Sequence, residues 1–355
     1  MKADRKVSRC LCGTVAAVLI ILILFGGFTY YIDPVCHYHK PLEKYDYTGV
    51  YAYYLNDGII RNYDFTAVIT GTSMTDNFKT SEAEALFGGS FVKLPLSGTS
   101  FKEISNQISR IYARGKSPSL IIRALDEDMI YMDKDSSTRD FSEFEYMYND
   151  RLLDDVKYLI NLEMFFRYTR ELMGKKNESG NPPIDFDRYC SWEFDTGKAA
   201  VTASYTLPET AETERVFTEA DRQLVVENIA QNVTAVAYEH PETDFICYIA
   251  PYSVGFWDMM NAGKKIHWQI EAEKTAVEEI LRCPNIRLYA FSDNFELVSD
   301  LDNYSDDHHY DGNVSSRLLG WMSEDKYRLS EENYEEYFEK IEQYFSEFDY
   351  AQLHE

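Results

Sequence analysis

Basic residues and cysteines are both scarce in this chain of 355 residues. Its 35 Lys and Arg face 60 Asp and Glu, which gives a net charge of −25 at pH 7. A surface of that charge repels phosphate backbones and anionic headgroups, so nucleic acid is excluded as a partner. The six cysteines are too few and too irregularly spaced for a disulfide scaffold. We expect one bridge at most, and Cys247, inside an apolar run, is predicted to be buried.

The chain also lacks internal repeats, and its one long uncharged apolar run lies near the N-terminus, at residues 11–32. A helix of that length spans about 33 Å, enough to cross a bilayer core. Four basic residues precede the run, whereas Asp4 is the only acidic one. We therefore predict a cytoplasmic tail (1–10), a transmembrane anchor (11–32) and an extracytoplasmic remainder, in a single-pass protein of the cell membrane. No small-x-small site follows the run, which argues against a cleaved signal peptide.

Five short apolar runs recur beyond this anchor, and helical patterns separate them. Their continuous apolar character, without alternation, is typical of strands in a doubly wound parallel sheet covered on both faces. The sequence therefore predicts an α/β fold with a five-stranded parallel sheet. The runs are Ala67–Thr70, Ser90–Leu96, Ser119–Leu125, Asp244–Ala250 and Ile286–Phe291.

The same pattern divides the chain into regions. We predict a juxtamembrane linker over residues 33–63, one domain over 64–325 and an acidic C-terminal helix within 326–355. The stretch 174–213 is polar and interrupts the strand–helix alternation. It is either a surface excursion or a lid over a substrate, since long loops are uncommon in compact domains. The C-terminal helix has an apolar side, which indicates packing on the domain, with partner binding as the alternative.

Candidate catalytic residues follow the first and the last predicted strands. In an open parallel sheet, ligands bind beyond the carboxyl ends of the strands. Ser73 comes directly after the first strand, and Asp306 and His309 stand three apart beyond the fifth. Ser73 alone could be a helix N-cap. Together the three residues supply a nucleophile, a general base and a carboxylate that orients the base.

These residues resemble the motifs of the SGNH, or GDSL-like, hydrolase superfamily, over about residues 64–321. Gly71-Thr72-Ser73 is similar to the nucleophile block, with Thr72 where many members have Asp. Gly98 matches the second-block glycine, and Asp306-x-x-His309 matches the last block. The chain departs at the third block, where Ala124-Leu125-Asp126-Glu127 stands in place of Gly-x-Asn-Asp. The narrower resemblance is to the membrane-anchored, DltD-like and polysaccharide O-acyl esterase or transferase branch.

The resemblance implies a three-layer α/β/α domain and acyl transfer through a serine ester, without a cofactor. Ser73 would be the nucleophile and His309 the base, oriented by Asp306. The backbone N–H groups of Ser73 and Gly98 would form the oxyanion hole, with Asp126 at the third-block position. His308, adjacent to His309, fits the family spacing less well.

Metal binding is the competing interpretation of two clusters, Cys36-His37-Tyr38-His39 and the acidic, histidine-containing run at 306–311. We expect a plain juxtamembrane loop at the first and the triad at the second, and hence no metal.

The sequence therefore predicts an extracytoplasmic serine esterase or O-acyltransferase. Its partner would be a cell-envelope polysaccharide or another acylated polymer, together with the membrane and other membrane proteins of a polymer-assembly system. The alternative is a catalytically inactive SGNH-like domain that binds glycan or acts as a scaffold in envelope assembly. The missing third-block asparagine is compatible with that alternative.

Overall fold

A computed structural model describes residues 2–47, 50, 52–138, 145–149, 151–177, 180–188 and 195–354. The chain divides into two compact units. The first comprises Met1–Tyr63 and Asp140–Asp185, and the second comprises Asp64–Arg139 and Phe186–Glu355. Residues 140–185, which the sequence assigned to the domain at 64–325, thus group with the N-terminal segment.

The second unit is built on a six-stranded sheet in the order β2-β1-β3-β4-β5-β6. The first five strands are parallel and correspond to the five predicted runs. They are buried along nearly their whole length, so both faces of the sheet are covered. The strands are β1 (Ala67–Gly71), β2 (Phe91–Pro95), β3 (Leu120–Leu125), β4 (Asp244–Ile249), β5 (Ile286–Ala290) and β6 (Arg328–Leu329).

The prediction of a purely parallel, five-stranded sheet is wrong at one edge. The two-residue strand β6 pairs antiparallel with β5, through Leu288 with Leu329 and Tyr289 with Arg328. It lies at 328–329, in the region predicted as a C-terminal helix. Two residues carry no recognisable alternation, so only the turn that follows the preceding helix brings β6 to the sheet.

Helices connect the strands of this unit. Two of them, α4 (Phe101–Ala113) and α9 (Glu219–Ile229), begin with a capping box, in which Ser100 or Thr218 exchanges hydrogen bonds with the acidic residue three positions on. The helices are α3 (Thr80–Phe87), α4 (Phe101–Ala113), α8 (Lys198–Ser204), α9 (Glu219–Ile229), α10 (Ala235–Glu239), α11 (Val254–Ala262), α12 (Ile266–Leu281), α13 (Phe295–Ser299), α14 (Gly312–Ser323) and α15 (Tyr334–Glu347). A π-helix, Ala230–Thr234, joins α9 to α10, and short 3₁₀ turns lie at Ser73–Thr75, Glu127–Met129, Leu301–Asn303 and Tyr350–Leu353.

The C-terminal helix α15 packs on its own unit, as the sequence predicts. Its apolar side is buried at Tyr337, Phe338, Ile341 and Phe345. The ring of Phe345 stacks on Trp257 of α11 at 4.0 Å between centroids. The helix therefore contributes to the core and does not present a free apolar face.

The first unit contains α1 (Lys2–Ile32), α2 (Ala52–Asn62), α5 (Glu145–Tyr148), α6 (Asp155–Leu159), a π-helix (Met164–Thr169) and α7 (Arg170–Gly174). Within α1, the segment Ser8–Ile32 is long and apolar enough to cross a membrane, and nearly all of it is exposed. The helical segment is interrupted between α6 and the π-helix, where the Asn161 side chain caps the amides of Glu163 and Met164.

The described residues of the segment 33–63, predicted as a linker, are folded. The buried carboxylate of Asp33 accepts hydrogen bonds from the backbone N–H groups of His37, Tyr38 and His39, and from the hydroxyl of Tyr158. Gly58 of α2 lies against the loop before it, because a Cβ there would be 2.0 Å from the Val35 carbonyl oxygen. Alternation rules miss such a segment because its order comes from side-chain-to-backbone contacts.

The described cysteines, Cys10, Cys12, Cys36, Cys247 and Cys283, are free, and Cys247 is buried in β4 as predicted. Cys190 lies outside the described residues.

Candidate active site

Ser73 lies in the tight turn that follows β1. The hydroxyl of Thr72 accepts a hydrogen bond from the Met74 N–H, which starts the turn at the strand end. Gly71 permits the close approach of β3, because a Cβ there would lie 2.8 Å from the Ala124 Cβ. In the observed strand order, the chain switches sides between β1 and β3, and this is where parallel sheets leave a crevice.

The structure brings the three predicted side chains into one hydrogen-bonded row. Ser73 Oγ lies 2.7 Å from His309 Nε2, and His309 Nδ1 lies 2.6 Å from Asp306 Oδ2. With the Nδ1 proton on the carboxylate side, Nε2 is the nitrogen that faces the serine hydroxyl and can accept its proton. The arrangement can therefore activate a serine hydroxyl as a nucleophile.

A closed loop fixes the spacing of Asp306 and His309. Tyr304 and Tyr310 form a β-bridge, and the Ser305 N–H donates to the His309 carbonyl at 2.9 Å. The Asp306 Oδ1 atom accepts the backbone N–H groups of His308 and His309 at 2.9 and 2.6 Å. The carboxylate is thus held in place before the imidazole bonds to it.

The charge state of Asp306 suits an orienting role. Burial acts to raise the pKa of this carboxyl, but the hydrogen bond and charge of His309, with the two backbone N–H groups, lower it to about 2. Asp306 is therefore ionised at neutral pH and stabilises the imidazolium that forms when His309 takes a proton.

His308 faces a different partner. Its Nδ1 lies 2.9 Å from the buried carboxylate of Asp307, and its ring is packed near Tyr252 and His309. Burial acts to lower the pKa of His308, but the hydrogen bond and charge of Asp307 raise it to about 9. His309 Nε2 is the nitrogen in contact with Ser73 Oγ, so the geometry favours His309 as the general base, as the spacing predicts.

The loop that carries Gly98 leaves the same sheet edge as Ser73. Gly71 pairs with Pro95, and the hydroxyl of Ser97 donates to Asp76 just after the serine turn, at 2.9 Å. Gly98 adopts φ +69, which favours glycine. Among the described residues, no acceptor takes the backbone N–H of Ser73 or Gly98. The role of these two amides as oxyanion donors stays a prediction from the motifs.

Asp126 follows β3 and lies buried behind the serine turn. Its carboxylate accepts the hydroxyl of Thr72 at 2.8 Å and that of Tyr252 at 3.2 Å. Burial, helped by the charge of Asp128, raises the pKa of Asp126 to about 7, against the two hydrogen bonds. Asp126, at the third-block position, therefore fixes the side chain of Thr72, the residue before the candidate nucleophile.

Sequence reasoning missed two supports of the loop at 304–310. Ser253, after β4, donates its hydroxyl to the Asp307 carbonyl at 2.9 Å, and the Tyr310 hydroxyl donates to the Met74 carbonyl at 3.1 Å. A third support comes from the stretch 174–213, because Ser204 at the end of α8 accepts the Asp307 N–H at 3.2 Å. Single hydroxyl residues carry no distinctive spacing, so only the fold reveals them.

The alternative metal clusters have other partners. His37 Nε2 lies 3.3 Å from Asp155, and both nitrogens of His39 lie near backbone carbonyl oxygens. Ligand atoms of Asp306, Asp307 and His308 do lie within 4.8 Å of one another. The carboxylate of Asp306 is nevertheless already bonded to His309 Nδ1 and to the backbone N–H groups of His308 and His309.

No protein-family model matches this chain, and no curated protein matches it. The resemblance to the SGNH superfamily therefore stays a prediction that rests on the motifs quoted above.

Proposed function

We propose that the chain is an extracytoplasmic serine esterase or O-acyltransferase with an SGNH-like domain, acting on a cell-envelope polysaccharide or a related acylated polymer. The observation that carries the proposal is the hydrogen-bonded row of Ser73, His309 and Asp306. Ser73 and His309 are 236 positions apart in the chain, so their contact is a product of the fold and not of local sequence.

In the proposed reaction, Ser73 Oγ attacks the acyl carbon while its proton passes to His309 Nε2. The N–H groups of Ser73 and Gly98 stabilise the oxyanion, and the C–O bond to the leaving alcohol breaks as His309 returns the proton to it. Water, or a hydroxyl of an acceptor, then attacks the acyl carbon and gives its proton to His309 Nε2. The bond from that carbon to Ser73 Oγ breaks as His309 returns the proton to the serine oxygen.

Two further observations support parts of the proposal. The exposed apolar segment Ser8–Ile32 supports attachment to a membrane, and the basic residues before it support an extracytoplasmic domain. The polymer substrate rests on the family resemblance alone.

The inactive, glycan-binding alternative is favoured by one observation, the acidic Asp126 where the family has its oxyanion-hole asparagine. Loss of one such donor costs about 3 kcal/mol of transition-state stabilisation.

The test is covalent labelling of the purified full chain in detergent with a fluorophosphonate, followed by peptide mass spectrometry. We expect the adduct on Ser73, its loss in Ser73→Ala, and unchanged labelling in the matched control Ser316→Ala on α14. A folded wild-type chain that takes no label would overturn the enzyme proposal in favour of the binding alternative.

A further inference from the structure

The first unit exposes an apolar surface beside α1 that no contact among the described residues covers. The exposed fraction of Leu153 is 89 %, higher than that of any other large apolar side chain described, and Leu152 follows at 80 %. Such a patch marks a binding surface for a protein or a membrane. We name it the 152–166 surface, and its members are Leu152, Leu153, Val156, Ile160, Leu162 and Phe166.

This surface is continuous with α1. The Phe165 ring stacks on Phe25 with centroids 4.2 Å apart, and the Leu159 side chain lies 3.5 Å from where a Cβ on Gly26 would stand. Gly26 and Thr29 are buried while most of α1 around them is exposed. The α6 and π-helix segment thus packs against one side of α1, within its apolar run.

The contact with Phe25 and Gly26 sets the depth at which the segment would lie in a bilayer. Phe25 precedes Ile32, the last residue of α1, by seven positions, which corresponds to about 10 Å along a helix. If α1 crosses a bilayer up to its last turn, the residues that touch Phe25 and Gly26 lie at the level of the acyl chains. At that level an exposed leucine or phenylalanine faces lipid and not water.

Several polar groups of the segment are paired within the first unit. Its backbone is largely helical, and the Asn161 side chain accepts the amides of Glu163 and Met164 at the break between the two helices. Asp155 is buried against His37 at 3.3 Å, and Glu163 forms an ion pair with Arg167 at 3.1 Å. Exposed Lys157 can extend its ammonium to the interface.

We propose that residues 152–166 form a second membrane-contacting element, which lies in the outer leaflet against α1 with the 152–166 surface in contact with acyl chains. The occupant is lipid, because the surface continues the lipid-facing side of α1. The inference depends on α1 lying in a bilayer, but it does not depend on the chemistry of Ser73.

The experiment places a photoreactive diazirine amino acid at position 153, 160 or 166 of the full chain. The protein is reconstituted in phosphatidylcholine vesicles without other protein, irradiated, and analysed by mass spectrometry. The same probe at Leu22, exposed in the middle of α1, gives the reference yield. We expect lipid adducts at all three positions within about threefold of that yield. Yields tenfold or more below the reference would overturn the proposal, and so would a reference position without adducts.

A pair of charge variants tests the same point without a probe in the surface. With the diazirine at position 166, Leu153→Asp combined with Leu162→Asp is expected to lower the lipid adduct at least fivefold. The matched control Lys157→Asp, which lies between them and is already polar, is expected to change it less than twofold. Equal effects from both would contradict the proposal.

Irradiation in native membranes distinguishes a protein partner. Lipid adducts there, as in vesicles, support the proposal. A single protein adduct of defined mass at positions 153, 160 and 166, with no lipid adduct, would overturn it and identify the surface as a docking site for a membrane protein. Fluorophosphonate labelling of Ser73 in the same samples reports separately on the proposed activity.

Discussion

At the residue scale, the site contains residues of the same type whose surroundings give them different properties. His309 and His308 are neighbours, but Asp306 orients the first while Asp307 raises the pKa of the second to about 9. Asp306 and Asp126 likewise differ, with pKa values lowered to about 2 and raised to about 7. The environment of each group, more than its residue type, sets what it can do.

The first prediction concerns the triad. Ser73→Ala is expected to lower kcat for p-nitrophenyl acetate hydrolysis at least ~10³-fold, and the addition of His309→Ala should cost less than about tenfold more, because the two act as a unit. Asp306→Asn should be milder than either single change but still large, since it disturbs the tautomer and not the nucleophile. Additive losses would show that Ser73 and His309 act independently.

The second prediction concerns Asp126. Asp126→Ala leaves the buried hydroxyl of Thr72 without its acceptor and leaves that of Tyr252 with Asp128 alone. We therefore expect a loss of about 2 kcal/mol of unfolding free energy and reduced activity. Asp126→Asn keeps an acceptor and removes a charge whose folded pKa is raised from 3.8 to about 7. Its stability should match the wild type near pH 3.8 and exceed it increasingly up to about pH 7. Equal stability of the two variants at pH 8 would contradict this role.

At the element scale, two buried carboxyls join the end of β3 to α12. Gln269 donates to the Glu127 carbonyl and to Glu273 Oε1, and both glutamates are buried. Among the described residues, one oxygen of each carboxyl has no hydrogen-bond partner. Burial, together with the charge of Glu273, raises the pKa of Glu127, and burial raises the pKa of Glu273 to about 8.

The third prediction follows from that pair. A carboxyl whose folded pKa lies above its unfolded value destabilises the fold as pH rises from the unfolded to the folded pKa. The unfolding free energy of Glu273→Gln should therefore match that of the wild type below about pH 4.5. Between pH 4.5 and pH 8 it should exceed that of the wild type by a growing amount, on the order of 1–3 kcal/mol. Urea unfolding at pH 4, 6 and 8 measures it.

Glu127→Gln is the matched variant and should shift stability in the same direction. The double variant should gain less unfolding free energy than the sum of the two single gains. The reason is that each carboxylate charge makes ionisation of the other more costly, so removal of one already relieves part of the other's penalty. A stability difference that does not change with pH would show that neither carboxyl is protonated by folding.

At the scale of the whole molecule, α1 and the basic tail are expected to set the topology. The fourth prediction is that protease added to wall-stripped cells digests the chain from Asp64 onward, while an epitope tag at the N-terminus stays protected. The control is the same digestion after detergent permeabilisation, which should expose the tag. Protection of the C-terminal region in intact cells would reverse the proposed orientation.

The sequence alone determined the apolar helix, the five parallel strands and the three residues of the candidate triad. These follow from local signals: an uncharged run, buried-strand composition, and polar residues at strand ends, which a parallel sheet gathers at one edge. The tertiary structure decided what depends on distant contacts. Examples are the antiparallel β6, the grouping of 140–185 with α1, the carboxylate that partners each of His308 and His309, and the hydrogen bond of Thr72 to Asp126. Each arises from burial and pairing between segments far apart in the chain, for which no local pattern exists.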